Sequence, residues 1–159
     1  MEMTIRVPRH EDIEVVVDLG ASMHQESAYA FLPFDRDKVR KLFTSYVTSP
    51  EIYGGFVADD NGILAGMIGG YISDYFFCDE KIACDMVLFV DPRYRGGRTA
   101  LRLLRAFRQW AVEQGAQELC LGVSTNVNTA STGRLYEAMG MTHVGGLYKA
   151  RLNSKEAAA

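Results

Sequence analysis

The segment from Met86 to Leu101 leaves this chain few architectures. Met86–Val90 is a continuous apolar run that stops at Asp91-Pro92, and Arg93-Tyr94-Arg95-Gly96-Gly97 leads from there into a helical pattern. An apolar run without alternation suits a strand covered on both faces. From about Gly97 to Gln114 a rotation of about 100° per residue places Ala100, Leu103, Leu104, Phe107, Trp110 and Ala111 on one side. Arg98, Arg102, Arg105 and Arg108 fall on the other. A doubly covered strand that feeds an amphipathic helix requires a layered α/β arrangement.

The flanking sequence fills in the layers. Thr4–Val7 is short and β-like, and a helical pattern over Glu11–Met23 sets Ile13, Val16, Val17 and Gly20 on one side. His24–Phe34 reads as a loop. Asp35 suits the N-cap of a second helix with apolar Val39, Leu42, Phe43 and Tyr46, which Pro50 ends. Ile52–Ala58 and Ile63–Ser73 flank Asp59-Asp60-Asn61-Gly62 as a hairpin. Glu118–Val123 is a strand, Asn128 caps a helix that ends at Gly140, and Thr142–Val144 and Leu147–Arg151 are closing strands. Residues 1–151 therefore form one domain, and 152–159 are a tail expected to fray. The expected order β-α-α-β-β-β-α-β-α-β-β gives a central mixed sheet.

Composition narrows the function. A formal charge of −3 over 159 residues opposes a general nucleic-acid binder, and the arginine stripe lacks interleaved exposed aromatics. The cysteines Cys78, Cys84 and Cys120 form no CxxC pair, which fits a reducing compartment. No apolar run approaches the ~20 residues of a membrane span, and no leader pattern interrupts the expectation of a cytoplasmic protein. The histidines His10, His24 and His143 lack metal-ligand spacing, so no metal is expected.

The turn before the arginine-rich helix carries the chemistry. A tight glycine turn at a helix N-terminus leaves backbone N–H groups converging in front of a positive dipole end, which is a setting for phosphate. No acidic residue occurs between Pro92 and Val112. The plain alternative is a glycine turn ahead of a solvated basic face.

Val90-Asp91-Pro92-Arg93-Tyr94-Arg95-Gly96-Gly97-Arg98-Thr99-Ala100 is similar to the acyl-CoA signature of the GNAT acetyltransferases. The pattern R/Q-x-x-G-x-G/A falls on Arg95, Arg98 and Ala100, with Arg98 where glycine is usual. Downstream, Asn126–Ala130 and Leu135-Tyr136-Glu137-Ala138-Met139-Gly140-Met141 resemble the second conserved segment of that family. Here Met141 replaces an aromatic residue, and Asn128 lies one position further from the tyrosine than usual.

The resemblance implies a single-domain GNAT-like fold: a mixed, mostly antiparallel sheet with helices on both faces and central strands that splay apart. It implies acetyl-CoA as acyl donor, with backbone pairing from Leu88 and Val90. Gly96, Gly97, Arg98, Thr99 and Ala100 would offer groups to the pyrophosphate, assisted by Arg93, Arg95 and Asn128. Tyr136 would protonate the departing thiolate; the alternative is a core aromatic. Asp85 is the first candidate base, with Glu26 and His24 behind it; its alternative is a hydrogen-bonded strand-entry residue. Glu26, Tyr29, Phe31, Asp79 and Glu80 would frame the amine acceptor, against the alternative of loop acids beside core aromatics. No nucleic-acid or membrane partner is expected, and a homodimer stays open. The rival function is a non-catalytic acyl-CoA-binding module of the same fold.

Overall fold

The computed structural model describes residues 2–123 and 129–153. They fall into two compact units, Met1–Val127 and Asn128–Ala159.

In the first unit the order is β1 (Thr4–Arg6), α1 (Ile13–Glu26), α2 (Arg36–Thr48), β2 (Tyr53–Asp60), β3 (Ile63–Asp74), β4 (Lys81–Val90), α3 (Thr99–Glu113) and β5 (Ala116–Cys120). The strands form one sheet in sequence order, β1-β2-β3-β4-β5. β1 to β4 pair antiparallel with one another, and β5 runs parallel to β4. The sheet is therefore mixed and mostly antiparallel. Asn61 (φ 54°) and Gly62 (φ 91°) make the primed turn that the β2–β3 hairpin requires.

Each face of the sheet has its own apolar layer. On one, α1 contributes Ile13, Val16 and Val17 and α2 contributes Phe43 and Tyr46, packed with Val57, Met67, Val87 and Phe89. On the other, Leu103, Leu104, Phe107 and Trp110 of α3 are buried, as the periodicity requires. Two cross-strand glycine pairs let large rings approach the backbone. Gly55 faces Gly69, and Gly54 faces Gly70. A methyl group on Gly69 would lie 2.6 Å from the Tyr46 ring, and one on Gly54 would overlap the Trp110 ring. Tyr46 thus seats on one face, and Trp110 on the other, of the same short stretch of sheet. The Trp110 indole also donates to the Pro50 carbonyl at 2.8 Å.

A charged cluster ties the N-terminal edge together. Arg6 of β1 donates to Asp12, ahead of α1, at 2.7 Å and to Asp59 of β2 at 2.9 Å. The Arg6 guanidinium holds the Asp12 carboxyl below its usual range.

Several boundaries differ from the sequence expectation. Helix α1 runs through His24 to Glu26, because nothing in Met23–Glu26 breaks it; it ends where the Ser27 hydroxyl donates back to the His24 carbonyl. Strand β4 begins at Lys81, so Asp85 lies inside a strand and not at its entry. Met86 is the extra residue of a bulge opposite Gly69-Gly70 and is 47% exposed, so the run Met86–Val90 is not buried throughout. Helix α3 starts at Thr99 with Arg98 as N-cap, and β5 occupies Ala116–Cys120 in place of Glu118–Val123.

The second unit contains α4 (Thr129–Ala138), closed by Gly140 at φ 83°. The N–H of Gly140 donates to Glu137 at 2.9 Å, and that of Met141 donates to Tyr136 at 3.1 Å. This pair is a Schellman termination. The expected strands Thr142–Val144 and Leu147–Arg151 are not formed among the described residues. A strand is stable only against a partner, and Val144 and Tyr148 stand 95% and 97% exposed, on either side of Gly145-Gly146.

Candidate functional site

The site starts from a strand edge that loses its neighbour. Pairing between β4 and β5 ends at Cys84 and Cys120, while β4 continues to Val90. On the other side β4 stays paired with β3, Phe89 facing Met67 and Val87 facing Gly69. The Asp91 N–H donates to Ala65 at 2.9 Å in the same register. Hydrogen-bonding direction alternates along an antiparallel strand. The N–H and C=O groups of Leu88 and Val90 therefore turn toward the edge that β5 has left. Both residues stand where an extended amide-bearing ligand could pair with them.

The strand then delivers the chain to the turn ahead of α3. Asp91 accepts from the Arg93 N–H at 2.9 Å, and Pro92–Tyr94 form a single 3-10 turn. The Tyr94 hydroxyl anchors this turn to Asp60 at 3.0 Å. Gly96 takes φ 84°, a left-handed conformation that favours glycine. Arg98, at φ −98°, does not need to be glycine and makes no side-chain cap bond. The first intrahelical bond of α3 runs from the Arg102 N–H to the Arg98 carbonyl at 3.0 Å. The N–H groups of Thr99, Ala100 and Leu101 accordingly have no intrahelical acceptor and sit at the positive end of the helix. A methyl group on Gly97 would meet only the Tyr94 carbonyl oxygen, at 3.9 Å.

The side chains there are not equivalent. Arg93 is held by Asp91 through two bonds, at 3.0 and 2.9 Å, and the same contact lowers the Asp91 pKa. Arg95 donates to the Val90 carbonyl at 2.8 Å, forms a forked ion pair with Glu26 and lies 5.4 Å from the Phe89 ring. Among the described residues no carboxylate pairs with Arg98. The Thr99 side chain is buried, its hydroxyl 3.4 Å from the Met3 sulfur, so only its backbone faces the turn. Asn128 lies outside the described residues.

Asp85 stands where β4 and β5 part. Its carboxylate accepts from the Gly122 N–H at 3.0 Å. Burial raises its pKa to about 6, against the opposing effect of the Gly122 bond. A carboxyl group held there is mostly ionised near neutrality and still basic enough to take a proton.

The residues expected on the acceptor side are spread over separate contacts. Glu26 is the last residue of α1 and pairs with Arg95. Tyr29 is half-buried and Phe31 is 52% exposed in the segment after α1. Asp79 and Glu80 are exposed between β3 and β4, where Glu80 accepts from Gln117 at 3.0 Å. In the same segment Tyr75 donates to Glu118 at 2.5 Å, while Phe76 and Phe77 are exposed and not core residues. In the second unit Tyr136 is buried on α4, with its carbonyl fixed by the Met141 N–H.

Sequence reasoning did not find the roles of Asp91 and Tyr94. An acidic residue two positions before Arg93 and directly ahead of proline was the available signal for Asp91. Nothing local signalled the Tyr94–Asp60 contact.

The sequence model of the acetyltransferase (GNAT) family matches residues 21–141. No curated protein sequence matches the chain. Among solved structures, the chain is similar to AAC(6')-Iy in complex with a bisubstrate analogue, CoA-S-monomethyl-acetylneamine. The TM-score is 0.75 at 19% identity, covering 95% of this chain and 98% of that one. Glucosamine-6-phosphate N-acetyltransferase from Arabidopsis thaliana gives a TM-score of 0.75 at 15% identity, covering 96% and 100%. Ribosomal-protein-alanine N-acetyltransferase from Brucella melitensis biovar Abortus 2308 gives 0.73 at 19% identity, covering 95% and 99%.

Proposed function

Because the chain belongs to the acetyltransferase (GNAT) family, we propose that it transfers the acetyl group of acetyl-CoA to a primary amine, by direct attack in a ternary complex. The observation that carries this reading is the open edge of β4 at Leu88 and Val90, followed at once by the unpaired N–H groups that start α3. Together they suit a ligand with an extended amide arm and a polyphosphate. The N–H groups of Gly96, Gly97, Arg98, Thr99 and Ala100 converge on the phosphates, and Arg98 adds a guanidinium that pairs with no carboxylate among the described residues. Arg93 and Arg95 supply further charge once released from their carboxylates, and Asn128 is assigned to the same ligand.

The chain contributes the proton transfers. Asp85 removes a proton from the incoming ammonium, directly or through one water, because its raised pKa suits a base working near neutrality. The Tyr136 hydroxyl gives a proton to the thiolate that leaves. Glu26, Tyr29, Phe31, Asp79 and Glu80 form the acceptor side, where carboxylates attract a cationic amine and aromatic faces hold it. The solved relatives are named for an aminoglycoside, an amino-sugar phosphate and a protein alanine as acceptors. The acceptor here is correspondingly a small molecule, a peptide or a protein amine.

The test is release of free thiol from acetyl-CoA with a panel of amines and peptides. Acetyl-CoA should also raise the melting temperature, since a ligand that binds only the native state stabilises it. Acetyl-CoA binding without thiol release from any amine would make the protein a non-catalytic acyl-CoA-binding module. No melting shift at millimolar acetyl-CoA would reject the reading altogether.

A further inference from the structure

Glu26 and Arg95 are 69 residues apart, and the sequence placed them on opposite sides of the reaction: one with the acceptor, the other with the donor. The structure joins them in a forked ion pair, each side chain about one-third exposed. The same guanidinium donates to the Val90 carbonyl at 2.8 Å. That carbonyl lies on the open edge of β4, so in this state Arg95 covers part of the surface assigned to the donor.

The location of Glu26 supplies a second observation. It is the last residue of α1, where the helix dipole is negative and an uncompensated carboxylate is unfavourable. A cation is favoured at that point, and the segment from Ser27 to Phe34 starts immediately beyond it. Arg95 meets that need here. A polyphosphate seated at the start of α3 would compete for the same guanidinium with more charge than one carboxylate carries. A partly exposed ion pair is weak enough to be displaced.

We propose that the Arg95–Glu26 pair is a latch between the two substrate sites: donor phosphate draws Arg95 away, and the freed Glu26 carboxylate then receives the cationic acceptor amine. This rests on the acetyl-transfer reading given above. Glu26 would then exchange one cation for another, and the acceptor would bind well only after the donor. The coupling is reciprocal, so a cationic acceptor also tightens donor binding.

The experiment measures CoA affinity by calorimetry, and acceptor KM and kcat by thiol release, in the wild type and in Glu26→Gln. A latch gives opposite signs for the two ligands. CoA should bind about two- to five-fold more tightly, the range expected from removing a partly exposed competing ion pair, while acceptor KM rises. The wild type's gain in acceptor affinity on donor binding should disappear in the variant. A static strut between α1 and the turn predicts the reverse for CoA, because cutting it loosens the loop. Equal or weaker CoA binding by a folded Glu26→Gln therefore overturns the latch. If that variant melts early, Glu26→Asp serves instead: it keeps the charge but is too short for the fork, and it should still bind CoA more tightly. A wild type that binds no CoA defeats the acetyl-transfer reading itself, whereas a binding wild type with an unresponsive Glu26 defeats only the latch.

Discussion

Replacing Asp85 with asparagine should make the protein more stable and less active, and both differences should grow as pH rises. Burial raises this carboxyl from 3.8 to about 6 in the folded state. The folded protein therefore holds the Asp85 proton more tightly than the unfolded chain does. Between the two values the native state binds more protons, so this group's contribution to stability falls as pH rises. The sense is opposite to that of a salt-bridged aspartate such as Asp12, whose pKa is lowered. At about 1.36 kcal/mol per unit, the penalty is roughly 0.5 kcal/mol at pH 4 and grows to about 2–3 kcal/mol above pH 7. The substituted amide would be neutral at every pH, and its oxygen could still accept from the Gly122 N–H. Urea denaturation of both proteins from pH 4 to 8 should show a stability gap that widens by about 2–3 kcal/mol across that range. Taking the difference between the two proteins cancels the carboxylates they share. The kcat/KM of the wild type should fall as pH drops through about 6, and the variant should lose most activity at all pH values. A gap that does not change with pH would refute the argument that Asp85 is a desolvated carboxylate. A widening gap with unchanged kcat would leave the desolvation and remove the base.

Three further outcomes are expected. Tyr136→Phe should reduce turnover by roughly 10²–10⁴ with little change in CoA affinity; unchanged turnover in a folded variant, measured by thiol release, returns Tyr136 to a packing role. Gly54→Ala drives a methyl group into the Trp110 ring and should destabilise by about 1–3 kcal/mol in urea titration, whereas the same change at Gly133, which has open space, should cost nothing of that kind. The double change Asp79→Asn with Glu80→Gln should raise acceptor KM more than donor KM, most clearly at low salt, and equal use of anionic acceptors by the wild type would remove these residues from the site.

The parts of the fold that could be read in the sequence are those with a local cause. The α3 face follows from helical spacing, the β2–β3 turn from Asn61-Gly62, and the end of α4 from Gly140. The family resemblance then supplied the expectation of splayed strands, and β4 does continue past its last partner on β5. What escaped depends on partners distant in sequence. Lys81–Asp85 has charged residues at both ends of only three apolar ones, yet it is strand because β3 and β5 flank it. Thr142–Val144 and Leu147–Arg151 look like strands, but pattern alone supplies no partner edge. Glu26 reads as a loop residue because His24–Phe34 mixes polar and aromatic residues ahead of Pro33, and its pairing with Arg95 has no local trace. The same holds for Arg6, which reaches Asp12 and Asp59 at once.

The paired glycines of β2 and β3 also act on the choice of strand alignment. Alternation of inward and outward residues rejects a slip of one position, since every side chain would change face. It is blind to a slip of two, which restores the alternation. A two-residue slip would set Gly54 and Gly55 against Ile68 and Met67, or against Ile72 and Tyr71, where Gly70 and Gly69 face them now. Side chains would then fill the hollows that Gly69 leaves under Tyr46 and Gly70 leaves under Phe107, and α2 and α3 would be pushed off the sheet. The rings of Tyr46 on one face and of Phe107 and Trp110 on the other therefore proofread the hairpin, favouring the alignment that keeps the four glycines beneath them.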